Sequence, residues 1–256
     1  MKILRDITYG NEPGQVIDAF LPDGGEETRA LFLYFHGGGL AGGSRRGAEK
    51  RLAPLLTSSG IALASADYRM YPGAKYPDYI EDAASASALC MKKAGELCGG
   101  RLYIGGSSAG AFLTMMLCFD REFLGRHGID PCDVAGFVHD SGQPTCHFRE
   151  LKERGLDPRR VIVDERAPLY YVGLAEKLPP MAFLYADRDM TNRPEQTEVM
   201  LTALRHFGYD MTRTVSMKLP GTHCQSGKMT DADGNNLLAS IIRGFILRTE
   251  EIYRGE

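Results

Sequence analysis

The chain has 256 residues, 43% of them apolar and 25% charged, with 30 Lys+Arg set against 33 Asp+Glu. Near-balanced charge excludes a polyanion-binding surface and a disordered acidic tail and points to a small neutral molecule as partner, not to nucleic acid. The length is ordinary for one α/β domain, so a single domain over residues 1–256 is the expectation.

Arg5, Asp6, Glu12 and Asp18 interrupt the start of the chain, which leaves no apolar stretch for a signal-peptide core or a membrane span; a cytoplasmic protein with no membrane partner is expected. "KILRDITYG" and "QVIDAFLP" read as two opening strands, an antiparallel pair around the turn "NEPG". "ALFLYF" (30–35) is a continuous apolar run of the kind that forms a strand covered on both faces. Strand candidates then follow at "IALASAD" (61–67), "RLYIGG" (101–106), "VAGFVHD" (134–140), "MAFLYA" (181–186) and "MTRTVSM" (211–217).

Helical periods lie between them. Ile80, Ala83, Ala84, Ser87, Ala88 and Met91 share one face, as do Met200, Ala203, Leu204 and Phe207, and again Leu238, Ile241, Ile242 and Phe245. Alternating strands and helices predict a mainly parallel sheet with helices on both faces, in which ligands bind beyond the carboxyl ends of the strands. Residues 141–180 interrupt the alternation without a clear strand; such an insertion is either a lid or substrate loop, or a surface helical excursion.

Cys90, Cys98, Cys118, Cys132, Cys146 and Cys224 show neither CxxC pairs nor zinc-like spacing, so they read as reduced thiols filling space; only Cys224, beside His223, adjoins candidate chemistry. No metal or cofactor site is indicated.

The chemistry is suggested at "LYIGGSSAG" (102–110). Gly106-Ser107-Ser108-Ala109-Gly110 fits GxSxG, a sharp strand-to-helix turn in which the residues two before and two after the apical serine must be tiny. The frame centred on Ser108 has glycine at both positions, whereas the frame centred on Ser107 has Gly105 and Ala109, so Ser108 is the better nucleophile. "YFHGGGL" (34–40) ends a strand in His36-Gly37-Gly38-Gly39, where side-chain-free backbone can approach an oxyanion; His36 is read as bracing that loop.

A serine needs a base and the base an orienting acid; in hydrolases built on an elbow of this kind they follow in the chain order Ser, Asp or Glu, His. "DRDMTNRPEQ" after one strand offers Asp187 and Asp189, with Asp189 preferred because Asp187 is still directed by the pleat of its strand. "PGTHCQSG" after the next offers His223. His206 fits a helix end, His127 and His147 lie in polar stretches, and His139 could line the pocket.

With these residues in this order the chain resembles the α/β-hydrolase esterases, most of all compact acetyl esterases related to the hormone-sensitive lipase branch. "DYRMYP" (67–72) and "YPDYIEDAASA" (76–86) are similar to the segment that supports the oxyanion loop in that family. The resemblance implies an eight-stranded, mostly parallel sheet and cofactor-free ester hydrolysis through an acyl-enzyme. It assigns Ser108, Asp189 and His223 to catalysis and the N–H groups of Gly38, Gly39 and Ala109 to the oxyanion hole.

The short segment before residue 31 leaves no room for the N-terminal cap helices of larger members, which suggests an open site for small acyl groups on a bulky alcohol such as an acetylated sugar. An amide hydrolase of the formamidase or small-peptidase type would use the same machinery. A non-catalytic binding protein on the same fold is the alternative from another class. Monomer and homodimer are equally compatible with the sequence.

Overall fold

The structure is a computed structural model that describes residues 1–23 and 28–255. Eight strands form one sheet: β1 (Lys2–Thr8), β2 (Val16–Leu21), β3 (Ala30–Phe35), β4 (Ile61–Ala66), β5 (Leu102–Ser107), β6 (Gly136–Asp140), β7 (Met181–Ala186) and β8 (Thr214–Leu219). Their spatial order is β1-β2-β4-β3-β5-β6-β7-β8. β1 and β2 pair antiparallel, β2 runs antiparallel to β4, and every later pairing is parallel.

The helices are α1 (Gly47–Arg51), α2 (Ala53–Ser58), α3 (Asp78–Cys98), α4 (Ala109–Phe119), α5 (Arg121–Gly125), α6 (Phe148–Glu153), α7 (Arg193–His206) and α8 (Leu237–Gly255). Period-two alternation in the strands splits the core into two layers. Leu31, Leu33 and Phe35 of β3 share one layer with α3, α4 and α7, while Phe32 and Tyr34 share the other with α1, α2 and α8. β3 to β7 are buried at every position, which accounts for their largely apolar sequences. Each large side chain so enclosed contributes about 1.5–3 kcal/mol. α4 is buried along its whole length, so it too is apolar on all sides.

Three local expectations are corrected. The last strand starts at Thr214 rather than 211, because Asp210 accepts from both the N–H and the hydroxyl of Thr212 (2.9 and 2.7 Å) and winds 211–213 into a 3₁₀ turn. On α3 the buried stripe runs on through Cys90, Ala94 and Cys98, leaving Ala88 and Met91 at its margin. Phe207 lies just beyond α7 and is 56% exposed, its ring covering Gly173 instead of joining the core.

The stretch 141–180 carries α6, a short 3₁₀ turn at Pro168–Tyr171, and a small core of its own built on Cys146, Leu151 and Ala167. All six cysteines are free, four of them buried. Among the described residues no helix is long and apolar enough to cross a membrane.

Candidate active site

Strand register brings the carboxyl ends of five strands level. Phe35 is paired with Gly106, Ser107 with Asp140, Asp140 with Leu184, and Ala186 with Leu219. Every residue singled out in the sequence for chemistry lies on or just beyond those ends. Ser108 follows β5 and precedes α4 with φ 56° and ψ −114°, a backbone conformation that costs a non-glycine residue about 1–3 kcal/mol. Its N–H donates to the carbonyl of Asp140 at 2.7 Å, which fixes the turn.

The flanking glycines are sterically required. A Cβ on Gly106 would come within 2.4 Å of the backbone of Gly110, and one on Gly110 within 2.0 Å of the carbonyl oxygen of Phe35. The elbow is thus wedged against the end of β3, and the small-residue frame centred on Ser108 follows from that contact.

Ser108 Oγ lies 2.7 Å from His223 Nε2, and His223 Nδ1 lies 2.5 Å from Asp189 Oδ1. The Asp189 side chain is buried, yet its carboxyl is held below the usual range: burial pushes it up, and the bond from His223, the N–H of Met190 at 2.6 Å and the Ser141 hydroxyl outweigh that. Asp187 does something else. Its N–H continues the ladder to Leu219 (2.9 Å) and its carboxylate accepts from Gly221 N–H (2.7 Å), so it closes the loop below His223 and does not touch the imidazole.

Ser107 points the other way. Its hydroxyl donates to Asp140 Oδ2 at 2.6 Å and accepts from Tyr34 at 3.0 Å, inside the protein. The second Asp140 oxygen accepts from Ser226 at 2.8 Å, three residues after His223. Asp140 therefore ties the turn that carries Ser108 to the loop that carries His223. Burial pushes its carboxyl up, against the lowering effect of the two serine hydroxyls. Sequence reading missed this residue; the available signal was an Asp at the end of a wholly buried strand, where an unpartnered carboxylate would be costly.

Gly38 adopts φ 122° and Gly39 φ 63°, and a Cβ on Gly38 would meet the carbonyl oxygen of Gly42 at 2.0 Å. Among the described residues the N–H groups of Gly38 and Gly39 have no protein acceptor, and that of Ala109 heads α4, where helical N–H groups are free. His36 braces the loop: Nδ1 lies 2.7 Å from its neighbour Gly37 O and Nε2 3.4 Å from Asp67, and the ring stacks on Tyr68. Tyr68 donates to His36 O (2.9 Å), Tyr71 N–H to Leu40 O (2.8 Å), and Arg69 forks onto Asp82 of α3. The segment "DYRMYP" is a buttress for the glycine loop.

The other histidines stay outside the chemistry. His139 does not line the pocket; it is enclosed by Phe119, Phe137 and Phe183, bonds Thr114 at 2.9 Å, and burial drives its pKa down to about 3. His147, read as lying in a polar stretch, is buried between Phe112 and Phe148 and caps α6 by accepting from Arg149 N–H. Cys224 takes a left-handed backbone conformation, and burial pushes its thiol up, away from the reactive thiolate.

The insertion reaches the site through α6. Phe148 packs on Gly39, where a Cβ would come within 3.0 Å of its ring, and Arg149 Nε donates to Gly39 O at 3.3 Å. Arg193, the first residue of α7, donates to Ser141 O (3.0 Å) and Gln143 Oε1 (3.2 Å) while 4% exposed.

Residues 32–131 match a family model described as alpha/beta hydrolase fold. Esterase LipC of Mycobacterium tuberculosis (strain ATCC 25618 / H37Rv) is 28% identical over 239 residues, 85% of this chain and 58% of that protein. Isoprenylcysteine alpha-carbonyl methylesterase ICME of Arabidopsis thaliana is 26% identical over 115 residues, 44% of this chain and 27% of that protein. The chain thus spans between about a quarter and three fifths of the length of these relatives. Among solved structures, a truncated form of a carbohydrate esterase from gut microbiota superposes with a TM-score of 0.77 at 14% identity, covering 97% of this chain and 96% of that one. Strand order, the serine elbow, the glycine loop and these likenesses together give the chain the α/β-hydrolase fold, with sequence similarity to esterases.

Proposed function

We propose that the chain is a serine carboxylic-ester hydrolase with Ser108 as nucleophile, His223 as base and Asp189 as the residue that orients it. The observation that carries this reading is the unbroken line of contacts from Ser108 Oγ through His223 to the buried Asp189, at 2.7 and 2.5 Å. His223 Nε2 takes the serine proton as Oγ attacks the ester carbonyl, and Asp189 holds the other imidazole nitrogen protonated and balances the imidazolium charge. The N–H groups of Gly38, Gly39 and Ala109 receive the oxyanion. His223 then passes its proton to the departing alcohol, and water, deprotonated by the same imidazole, hydrolyses the acyl-enzyme.

Phe148, packed on Gly39 beside the proposed oxyanion amides, favours a small acyl group such as acetyl at that point. A sugar fits as the alcohol half, making the substrate an acetylated sugar; the carbohydrate esterase of like fold supports that choice. Residues 141–180 form the substrate-facing insertion of a single hydrolase domain.

Ser108→Ala should lower kcat/KM for 4-nitrophenyl acetate by at least ~10³-fold and abolish labelling by a fluorophosphonate probe. Activity near that of the unaltered protein would exclude Ser108 as the nucleophile. Preference for N-formyl amides over acetyl esters would move the reading to an amide hydrolase.

A further inference from the structure

A cavity of about 390 Å³ opens beside the proposed oxyanion loop, between α6 and the turn that follows Asp189. Phe148 is the wall it shares with Gly39, and Met190 to Arg193 form the opposite side. Its polar lining is strongly one-sided. Lys152, Arg159, Arg160 and Arg193 all border it, and no Asp or Glu is among its lining residues.

Pairing in the neighbourhood sharpens the point. Arg154 and Arg166 of the same insertion are neutralised by Asp164 and Glu150 at 2.7 and 2.9 Å, and Arg159 by Asp157 at 2.6 Å. Lys152, Arg160 and Arg193 have no carboxylate partner among the described residues, nor has Arg149, which lies over the rings of Tyr71 and Phe148. Arg193 is a buried guanidinium whose bonds go to a carbonyl and an amide oxygen, neither of which cancels its charge. The Asp189 carboxylate acts on Arg193 without an ion-pair contact between them, so an anion entering beside this desolvated cation would supply the direct partner it lacks. The field is felt locally: after burial, Arg193 and Arg149 are the next influences that hold His147 neutral. The facing carboxylates are Asp157, already paired, and Asp189, committed to His223.

We propose that this cavity is an anion subsite, so that the ester hydrolysed at Ser108 carries a carboxylate or phosphate on the half that extends past Phe148. The substrate class thus rests on the ester-hydrolase reading, whereas the anion site itself does not. Near-balance over the whole chain suggests a neutral partner; the anion proposal rests instead on the local grouping of Lys152, Arg160 and Arg193 around this one cavity. Arg193 supplies the fixed, desolvated end, and Lys152 and Arg160 the solvent-exposed, salt-sensitive rim.

Two substrate pairs distinguish which half bears the anion: monomethyl glutarate against methyl valerate for the acyl half, and O-acetylglycolate against propyl acetate for the alcohol half. One pair should show a preference of ~10-fold or more in kcat/KM for its anionic member. That ratio should shrink in Lys152→Glu/Arg160→Glu, and between about 0.02 and 0.5 M salt. In parallel, binding of glutarate and inorganic phosphate to Ser108→Ala is measured by titration calorimetry and should weaken several-fold in the same double variant. Neutral members preferred in both pairs, or no anion binding to Ser108→Ala, would overturn the subsite. Anion binding with no ester turnover and no fluorophosphonate labelling of the unaltered protein would overturn the hydrolase reading and leave the anion site standing.

Discussion

At the strand ends, Ser107, Asp140 and Ser226 are withdrawn from water and joined by bonds of 2.6 and 2.8 Å, and glycines meet backbone at distances that admit no Cβ. Across the cavity, α6 and the chain around it are held by ion pairs of half-exposed arginines and by a core of three buried residues. The first region is fixed by sterics and desolvated hydrogen bonds, which tolerate almost no change. The second is fixed by charge in contact with water, where single pairs contribute about 0–1 kcal/mol and can be exchanged. Chemistry belongs on the rigid side and selectivity on the adaptable one, since a reacting geometry fails with small displacements whereas a charged rim acts at longer range.

The comparison breaks most severely at the proposed triad acid. Asp189→Asn should lower kcat by ~10³–10⁴-fold, because an amide cannot hold the imidazole in the required tautomer. Asp187→Asn, which only loosens a loop bonded to Gly221 N–H, should cost less than about tenfold. Equal losses in the two variants, in steady-state kinetics, would undo the assignment.

Next comes the glycine loop. If Gly38 is the oxyanion donor proposed above, Gly38→Ala should reduce kcat by about 10²–10³-fold, because the new Cβ meets Gly42 O at 2.0 Å and the loop must move. Binding of a competitive alcohol product measures whether the loss lies in the transition state alone.

Acid stability offers a third test. In the native state the His139 pKa lies at about 3, below its ordinary value of about 6.5, so the unfolded chain takes up a proton that the folded chain refuses. Stability is therefore complete above about pH 6.5 and declines as pH falls towards 3, by at most ~1.4 kcal/mol per unit from this residue. Buried His147 acts in the same direction. His139→Gln should flatten the dependence of urea midpoints on pH over that interval; an unchanged slope would mean that the ring is not the sensor.

The smallest effect belongs to the insertion. Arg154→Ala, which removes pairs to Asp164 and Glu150, should cost about 1 kcal/mol or less in urea unfolding, since the arginine is partly solvated. A larger cost would show that the adaptable region is as rigid as the strand ends.

Much of this molecule is legible in local sequence because its causes are local. Continuous apolar runs mark strands covered on both faces, and the tiny residues around Ser108 mark a turn wedged against β3. Alternating strands and helices put Ser108, Asp189 and His223 at strand ends, and their order matches that of the esterases the chain resembles. The limits of β8 and the exposure of Phe207 were not legible, because an Asp210 turn and a contact with Gly173 override the local apolar pattern.

What only the tertiary structure decided is which neighbour of each pair meets the imidazole and what surrounds the cavity. Ser107 and Ser108, or Asp187 and Asp189, are alike in composition and differ by the register that turns one inward or down and leaves the other facing His223. Asp140, Phe148 and Arg193 become neighbours of the site through pairings across dozens of residues. A local pattern fixes backbone shape, but the meeting of distant side chains depends on sheet register and helix packing, which no short stretch of sequence encodes.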